Sequence, residues 1–338
     1  MISLEPLNPA RPGKHANIAI FVPHLGCPQR CSFCEQNAIT GANHAPPPTP
    51  EDVLSAAEIA ARSLGERRKE AEIAFFGGSF TAIRRDYMLA LLSAAKEAAD
   101  RYGFHGIRCS TRPDAVDSET LELLSAYGVT AIELGAQSMD DGVLQANRRG
   151  HTARDTAEAA DLIRAGGFEL GLQMMTGLYK STAEGDLETA RRLIALKPAT
   201  MRIYPTLVLP GTELARLYDR GEYCPQSLEQ AVELCAVLLE EFRRAGVRVI
   251  RLGLHASPEL EKKRLAGPYH PAFRQLVESR VYLEQLLRVL EQSGPGEYVV
   301  EVDPRELSIA LGQRKANLEE LARRGYRVTF RQRLEDQL

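Results

Sequence analysis

No run of the 338-residue sequence stays apolar long enough to cross a bilayer. Residues 1–14 are proline-rich and lack the apolar stretch of a secretory signal. Both absences point away from a membrane and toward the reducing cytoplasm. No charge sign dominates either: 42 Lys and Arg against 45 Asp and Glu give a net charge of −3. The chain as a whole is therefore not a basic nucleic-acid binder, although locally basic surfaces remain open. There is no internal repeat and no true low-complexity segment. Cysteine is sparse, six in all, and in a reducing compartment those six need a reading other than disulfides. Staples are not required, because a chain of this length with 44% hydrophobic and 26% charged residues can bury its own core. One large domain, alone or with a small companion, is the expected organisation.

What is present is concentrated. Cys27, Cys31 and Cys34 stand in a C-x3-C-x2-C spacing within Gly26-Cys27-Pro28-Gln29-Arg30-Cys31-Ser32-Phe33-Cys34. Three soft thiolates on one tight loop make a metal site. Cys109, Cys224 and Cys235 have no ligand-like spacing and read as ordinary thiols, since free cysteine packs as a small hydrophobe. Structural zinc wants a fourth ligand and usually paired C-x-x-C knuckles, and His24 or His44 would have to supply that ligand here. An iron–sulfur cluster normally takes four cysteines. Three would leave one iron of a [4Fe–4S] cluster open to an outside ligand.

Strand and helix alternate from residue 17 to about 250. Strands are expected at 17–22, 71–76, 106–110, 129–134, 168–173, 200–204 and 247–250. Helices are expected at 51–64, 86–102, 118–127, 140–146, 152–165, 182–196 and 227–245. The proline-rich run at 45–50 is a stiff connector before the first helix. This alternation implies a parallel sheet covered by helices, curled by right-handed crossovers into an open or closed barrel. Ligands bind such sheets at the carboxyl ends of the strands. Successive strand ends carry the cysteines, Gly77-Gly78, Ser110-Thr111, Gln137, Gln173 and Pro205-Thr206.

With Phe33 before its last cysteine, C-x3-C-x-Phe-C after a first strand resembles the signature of radical S-adenosylmethionine (SAM) enzymes. The resemblance implies an α/β fold, a radical SAM partial (β/α)6 barrel, here with a small C-terminal α/β module. It implies that Cys27, Cys31 and Cys34 hold a [4Fe–4S] cluster whose open iron is chelated by SAM. One electron then breaks the S–C5′ bond, and a 5′-deoxyadenosyl radical takes a hydrogen atom from substrate. The cofactor carries that chemistry while the protein orients it. An electron donor such as a flavodoxin or ferredoxin is implied as a partner.

Phe76-Gly77-Gly78-Ser79-Phe80 is similar to the family's glycine motif, whose backbone bonds the SAM amino group; glycine permits the close approach. The family often has an acidic residue where Ser79 stands. Residues 110–114, 133–138, 147–152 and 202–207 resemble the radical SAM domain of the Elongator catalytic subunit. They are more distantly similar to oxygen-independent coproporphyrinogen III oxidases, and the resemblance covers about residues 15–250. It implies that Phe33, Ser110, Thr111 and Tyr204 line the SAM site and that Gln137 and Gln173 bond its polar groups. Arg149 would pair with its carboxylate, where a planar guanidinium fits well. The oxidases resemble this chain with an Asp at position 173, Arg148 is an adjacent competitor for Arg149, and Glu133 reads equally as an ion pair within the barrel.

Beyond 255 the pattern changes. Residues 255–268 are polar and turn-rich, 271–292 read as a helix, and strand, helix, helix, strand follow at 298–302, 304–311, 316–324 and 326–330. The expected domains are 1–255, the barrel with its N-terminal extension and cluster loop, and 256–338. The order over 297–333, with Gly312-Gln313-Arg314-Lys315 between the helices, resembles a KH RNA-binding core, which clamps nucleotide backbone with a GXXG loop. Lys315 replaces the second glycine. Between Arg305 and Arg333 there are eight Lys and Arg against three Asp and Glu. Such a stretch can meet phosphates or be the solvated face of a structural cap. The Elongator subunit's acetyltransferase domain does not fit into the residues after 255, and no glycine-rich acyl-CoA loop is seen, so acetyl-CoA is not expected as a ligand. Tyr269 and His270, bracketed by Pro268 and Pro271, are the first candidates for substrate-side roles, against the plainer reading of a turn. The expected function is a radical SAM enzyme that modifies an RNA, tRNA or rRNA. The alternatives are a radical SAM enzyme acting on a small molecule or peptide, and an RNA- or ribosome-associated factor that keeps a cluster without SAM turnover.

Overall fold

The computed structural model describes residues 2–4, 16–22, 25–27, 30–35, 46–255 and 258–333. In chain order its strands and α-helices are β1 (Ile2–Ser3), β2 (Ala16–Val22), α1 (Pro50–Leu64), β3 (Ala71–Gly77), α2 (Arg85–Tyr102), β4 (Gly106–Thr111), α3 (Ser118–Ala126) and β5 (Val129–Gln137). There follow α4 (Asp141–Ala146), α5 (Ala153–Ala165), β6 (Glu169–Thr176), α6 (Ala183–Ala195), β7 (Thr200–Pro205), α7 (Glu213–Asp219), α8 (Leu228–Arg244) and β8 (Arg248–Leu252). The chain closes with α9 (Pro258–Lys263), α10 (Phe273–Glu291), β9 (Gly296–Val302), α11 (Leu307–Leu311), α12 (Ala316–Arg323) and β10 (Tyr326–Gln332).

The main sheet runs β2-β3-β4-β5-β6-β7-β8, and every neighbouring pair is parallel. Spatial order equals chain order, so six β/α units follow one another in one direction and β8 closes the series. A single cavity is lined both by Asn17 and Phe21 of β2 and by Ile250 and Arg251 of β8. The two edge strands therefore face a common interior, and the sheet is a curled half-barrel. Central strands are covered on both faces and read as nearly continuous buried runs, as in β5. The edge strand β2 alternates instead. Ile18, Ile20 and Val22 are buried, while Asn17, Ala19 and Phe21 are open to the interior.

Helix starts are set by side-chain caps. Thr49 with Asp52, Thr152 with Asp155 and Ser227 with Gln230 each form a reciprocal capping box, at α1, α5 and α8. Strands β5 and β6 run three residues past their expected ends because Gly135 and Gln137 in β5, and Met174 to Thr176 in β6, continue the pairing. The β5–β6 register skips Ala136, which leaves Gln137 in a left-handed conformation (φ 65°) at the strand end. Helices α7 and α9 were not expected; at seven and six residues, neither is long enough to display a helical repeat of apolar positions.

The C-terminal strands form a second, parallel sheet in the order β1-β9-β10. Residues 2–3 of the expected N-terminal extension thus pair within the C-terminal sheet. Helix α10 joins the two bodies, since Val277, Val281 and Leu286 share one apolar core with the barrel and with Val300 and Tyr326. The strand–helix–helix–strand order of 297–333 is present. In its central turn Arg314 (φ 51°) and Lys315 (φ 66°) both take left-handed conformations and are exposed. Asn317 beneath the turn donates to Ser279 Oγ and Ala310 O, each at 3.0 Å. No helix among the described residues is long and apolar enough to cross a membrane.

Candidate active site

The loop after β2 and the loop after β3 are interlocked. Gly78 N–H donates to Val22 O (2.8 Å) and Ser79 N–H donates to Leu25 O (3.1 Å). A Cβ on Gly78 would lie 2.0 Å from Leu25 O, and one on Gly26 would lie 2.2 Å from Ser79 O. These glycines are needed so that the two loops can touch, besides any approach to a ligand. Ser79 is buried, and its Oγ contacts Thr111 Oγ1 (2.9 Å) and accepts from Arg112 N–H (3.1 Å). It therefore pins the loop after β4 to the loop after β3.

The other side of the cysteine loop is tied by Asn147, which is wholly buried. Ser32 Oγ donates to Asn147 Oδ1 (2.8 Å) and Ser32 N–H to Asn147 O (3.1 Å). The Asn147 amide donates to Val143 O (2.8 Å) and Tyr179 O (2.9 Å). Leu214 N–H donates to Ser32 O (2.7 Å), so α7 also holds the loop. Phe33 packs against an apolar cluster of Val208, Leu214, Ala215 and Tyr223.

The cavity inside the half-barrel measures about 450 Å³, within the range of a small-molecule site. Cys27, Cys31, Cys34, Phe33, Gly77, Gly78, Ser110, Thr111, Gln137, Arg149, Gln173 and Tyr204 all line it. The structure thus brings together every residue expected to hold the cluster or SAM. Arg149 Nη1 donates to Cys31 Sγ (3.1 Å), and its Nη2 donates to Gly135 O. Burial raises the Cys27 thiol above its ordinary range, with Cys31 adding to the rise and Arg112 and Arg149 opposing it. Gln137 Oε1 and Arg149 Nε are buried beside the thiols without a hydrogen-bond partner. In a folded interior such atoms call for a ligand. No three His, Cys, Asp or Glu side chains among the described residues converge closely enough to hold one metal ion. Cys27, Cys31 and Cys34 share the wall of one cavity, and three soft thiolates there suit an iron–sulfur cluster with one iron left open. His24 and His44, the candidate fourth zinc ligands, lie outside the described residues.

Beneath the cavity runs a buried ionic network. Arg202 donates to both oxygens of Glu133 (2.6 and 2.9 Å), and Arg108 donates to Glu72 (2.7 Å) and Glu169 (2.8 Å). Burial alone would lower Arg202, but Glu133 outweighs it and the guanidinium is held above its ordinary range. Gln173 Nε2 is directed at Glu133 Oε2 (3.0 Å) and lies 3.3 Å from Ser110 Oγ. Glu133 is thus an ion-pair partner within the barrel, and Gln173 is anchored by it. His151 is buried against Ala136 O at 3.2 Å, and burial lowers it to about 4.

Tyr269 and His270 are not brought to the cavity. Tyr269 packs beside Leu207, Leu209 and Leu260, with the Arg264 guanidinium 5.7 Å from its ring centroid. His270 Nδ1 accepts from Ala272 N–H at 3.0 Å and closes a turn before α10. Residues that the sequence did not single out do line the cavity: Asn17, Arg112, Arg202, Arg251 and His255. Arg112 and Arg202 lay within stretches already noted. Arg251 carried no signal, because its placement depends on a strand irregularity.

Residues 21–193 match the model of the Radical SAM superfamily, and residues 198–283 match the Radical_SAM C-terminal domain. A tRNA uridine(34) acetyltransferase of Dehalococcoides mccartyi is 27% identical over 243 residues, covering 62% of this chain and 52% of that protein. Elongator complex protein 3 of Mus musculus is 30% identical over 198 residues, covering 53% of this chain and 36% of the relative. The chain therefore spans about a third to a half of these curated relatives. An archaeal Elp3 structure from Methanocaldococcus infernus superposes with a TM-score of 0.63 at 22% identity, covering 80% of this chain and 63% of that one.

Proposed function

The chain belongs to the radical SAM superfamily, an enzyme class that works with a [4Fe–4S] cluster and SAM, and from that premise we propose that it modifies an RNA. When bound, the cluster and SAM supply a one-electron reductive cleavage that delivers a hydrogen-abstracting radical. The chain's own residues hold and orient that pair. Cys27, Cys31 and Cys34 are the thiolate ligands. Arg149 steadies Cys31 and offers its free Nε to the SAM carboxylate, and Gln137 Oε1 accepts from the SAM ammonium. Those two orphaned atoms beside the thiols are the observation that carries the cofactor assignment. Gly77, Gly78, Ser110, Thr111 and Tyr204 complete the wall around the nucleoside part, with Phe33 anchoring the loop. Gln173 is a positioning residue that joins this wall to Glu133.

The RNA substrate is supported by the relatives named above, one of them a tRNA-modifying protein, and by the basic turn at Arg314 and Lys315. An exposed pair of cations on a left-handed turn favours contact with a phosphate backbone. The test has two arms. Anaerobically reconstituted protein should convert SAM to 5′-deoxyadenosine when dithionite is added; a fully loaded protein that makes none overturns the enzymatic reading. Crosslinking in cells followed by sequencing should recover a specific RNA. Recovery of none above background, with SAM still cleaved, moves the substrate to a small molecule or peptide.

A further inference from the structure

Four arginines line the cavity, Arg112, Arg149, Arg202 and Arg251, and among the described residues no Asp or Glu does. Three of them are engaged: Arg112 with Asp114, Arg149 with Cys31 and Gly135 O, and Arg202 with Glu133. Arg251 differs. Its Nε is buried without a partner, and it makes no ion pair with any described residue. Burial lowers it below the ordinary arginine range, and the nearby cations Arg202 and Arg274 add to that.

The backbone puts it there. The β7–β8 register pairs Met201 with Val249 and then Arg202 with Arg251, skipping Ile250. An irregularity of this kind re-aims a side chain. Without the skip, Arg202 would face Ile250 and Arg251 would point to the helix side of the sheet. With it, two arginines stand directly opposite on the inner face, a like-charge pairing that is normally destabilising. Arg202 cannot turn away, because Glu133 holds it from below and Phe76 lies 4.9 Å from its guanidinium. The Tyr204 hydroxyl interacts electrostatically with both guanidinium groups, and His255 lines the same cavity.

We infer that Arg251, with Arg202, Tyr204 and His255, forms an oxyanion-binding subsite on the β8 wall, across the cavity from the cysteine loop. It would hold an anionic group of the substrate while SAM occupies the cysteine side. This rests on the RNA reading for its chemical class: an RNA offers phosphate and no carboxylate, so the anion is a phosphate. A guanidinium with its fork free fits that group.

The test uses the holoprotein with its cluster in place and SAM present. Inorganic phosphate, a nucleoside, its 5′-monophosphate and a short single-stranded RNA are each titrated calorimetrically under anaerobic conditions. The monophosphate should bind at least tenfold more tightly than the nucleoside, and Arg251→Gln should erase that difference while leaving the nucleoside affinity unchanged. A variant retaining one donor group, Arg251→Lys, should restore part of the difference. The melting temperature of unliganded Arg251→Gln should equal or exceed that of the parent, since no ion pair is lost and the repulsion from Arg202 is relieved. If the nucleoside and its monophosphate bind equally, the inference is wrong. It is also wrong if Arg251→Gln lowers the melting temperature and keeps the phosphate preference, because Arg251 would then be structural. Phosphate preference with the small probes but not RNA retains the subsite and assigns a free phosphorylated substrate. Specific RNA crosslinking without phosphate preference at Arg251 leaves the RNA reading standing and removes the subsite alone.

Discussion

The two ends of the cavity are built on opposite plans. At the cysteine end, every loop is fastened to its neighbour. Val22 and Leu25 bond to the turn after β3, Ser32 bonds to Asn147, and Asn147 bonds to the loop after β6. At the β8 end, a half-buried arginine faces another arginine, and no carboxylate or carbonyl among the described residues answers it. The first plan gives precision. A cluster tolerates little motion of its ligands, and ligands on loops need supporting contacts to stay in place. The second plan leaves an electrostatic demand open for whatever binds there. A fastened end suits the cofactor shared across a superfamily, and an unanswered end suits the substrate particular to one member.

The most severe way to break this contrast is to remove a thiol. Replacing Cys27, Cys31 or Cys34 with Ala should eliminate the broad absorbance near 400 nm and most of the iron after anaerobic reconstitution. Retention of a full cluster in all three variants would contradict the ligand assignment. Next comes the ionic floor on which both ends rest. Glu133→Ala leaves Arg202 without its bidentate partner and facing Arg251, and should cost about 3–5 kcal/mol in denaturant unfolding. Adding Arg202→Met should recover a large part of that loss. Equal destabilisation by the single and double changes would show that the pair does not act as a unit.

A finer cut goes through Asn147, which touches no expected ligand yet holds the cysteine loop. Asn147→Ala removes an acceptor from Ser32 and a donor to Val143 O, both buried, and a donor to Tyr179 O that is partly buried. The cost should be about 2–3 kcal/mol. Cluster occupancy should fall as well, and the cluster's electron paramagnetic resonance linewidth should broaden as the loop gains freedom. A purely structural residue would lower stability and leave the spectrum of the remaining cluster unchanged. Asn147→Asp, which keeps the acceptor for Ser32, should restore the linewidth more than the stability.

Legibility followed the same divide. The cysteine end was readable because its chemistry sits in short motifs at or near strand ends: three cysteines in eight residues, Gly77-Gly78, Gln137 at the end of β5 and Gln173 within the last half of β6. Alternating segments gave the parallel sheet, since each run of Val, Ile, Leu or Phe is long enough to show whether it is buried on one face or two. The β8 end was not readable. Whether Arg251 points inward depends on one skipped residue in the pairing, and no composition or period reports a register shift. Tyr269 and His270 drew attention because prolines bracket them, but proline marks the turn and not what the turn faces. Asn147 was passed over beside Arg148 and Arg149, because an asparagine that accepts from Ser32, 115 residues away in sequence, has no local signature.

The mildest probe of the fastened end is titration. Asp186 is buried and accepts from Gly177 N–H (2.9 Å) and from Ser181 Oγ, so it shapes the loop that receives Asn147 at Tyr179. Burial raises its carboxyl to about 6, outweighing those two hydrogen bonds. An unfolded aspartate titrates near 3.9. Between those values the folded state holds more protons than the unfolded state. The group's contribution is therefore fully present below about pH 4 and is lost as pH rises through about 6. Relative to Asp186→Asn, which cannot titrate, the parent should lose roughly 1–3 kcal/mol of stability between pH 4 and pH 7. Parallel stability curves for the two proteins across that range would mean that Asp186 stays ionised and that its two donors outweigh its burial. The loop would then be fastened by a charge, which would make the contrast with Arg251 sharper: a buried charge answered within the chain, against a half-buried one left for a ligand.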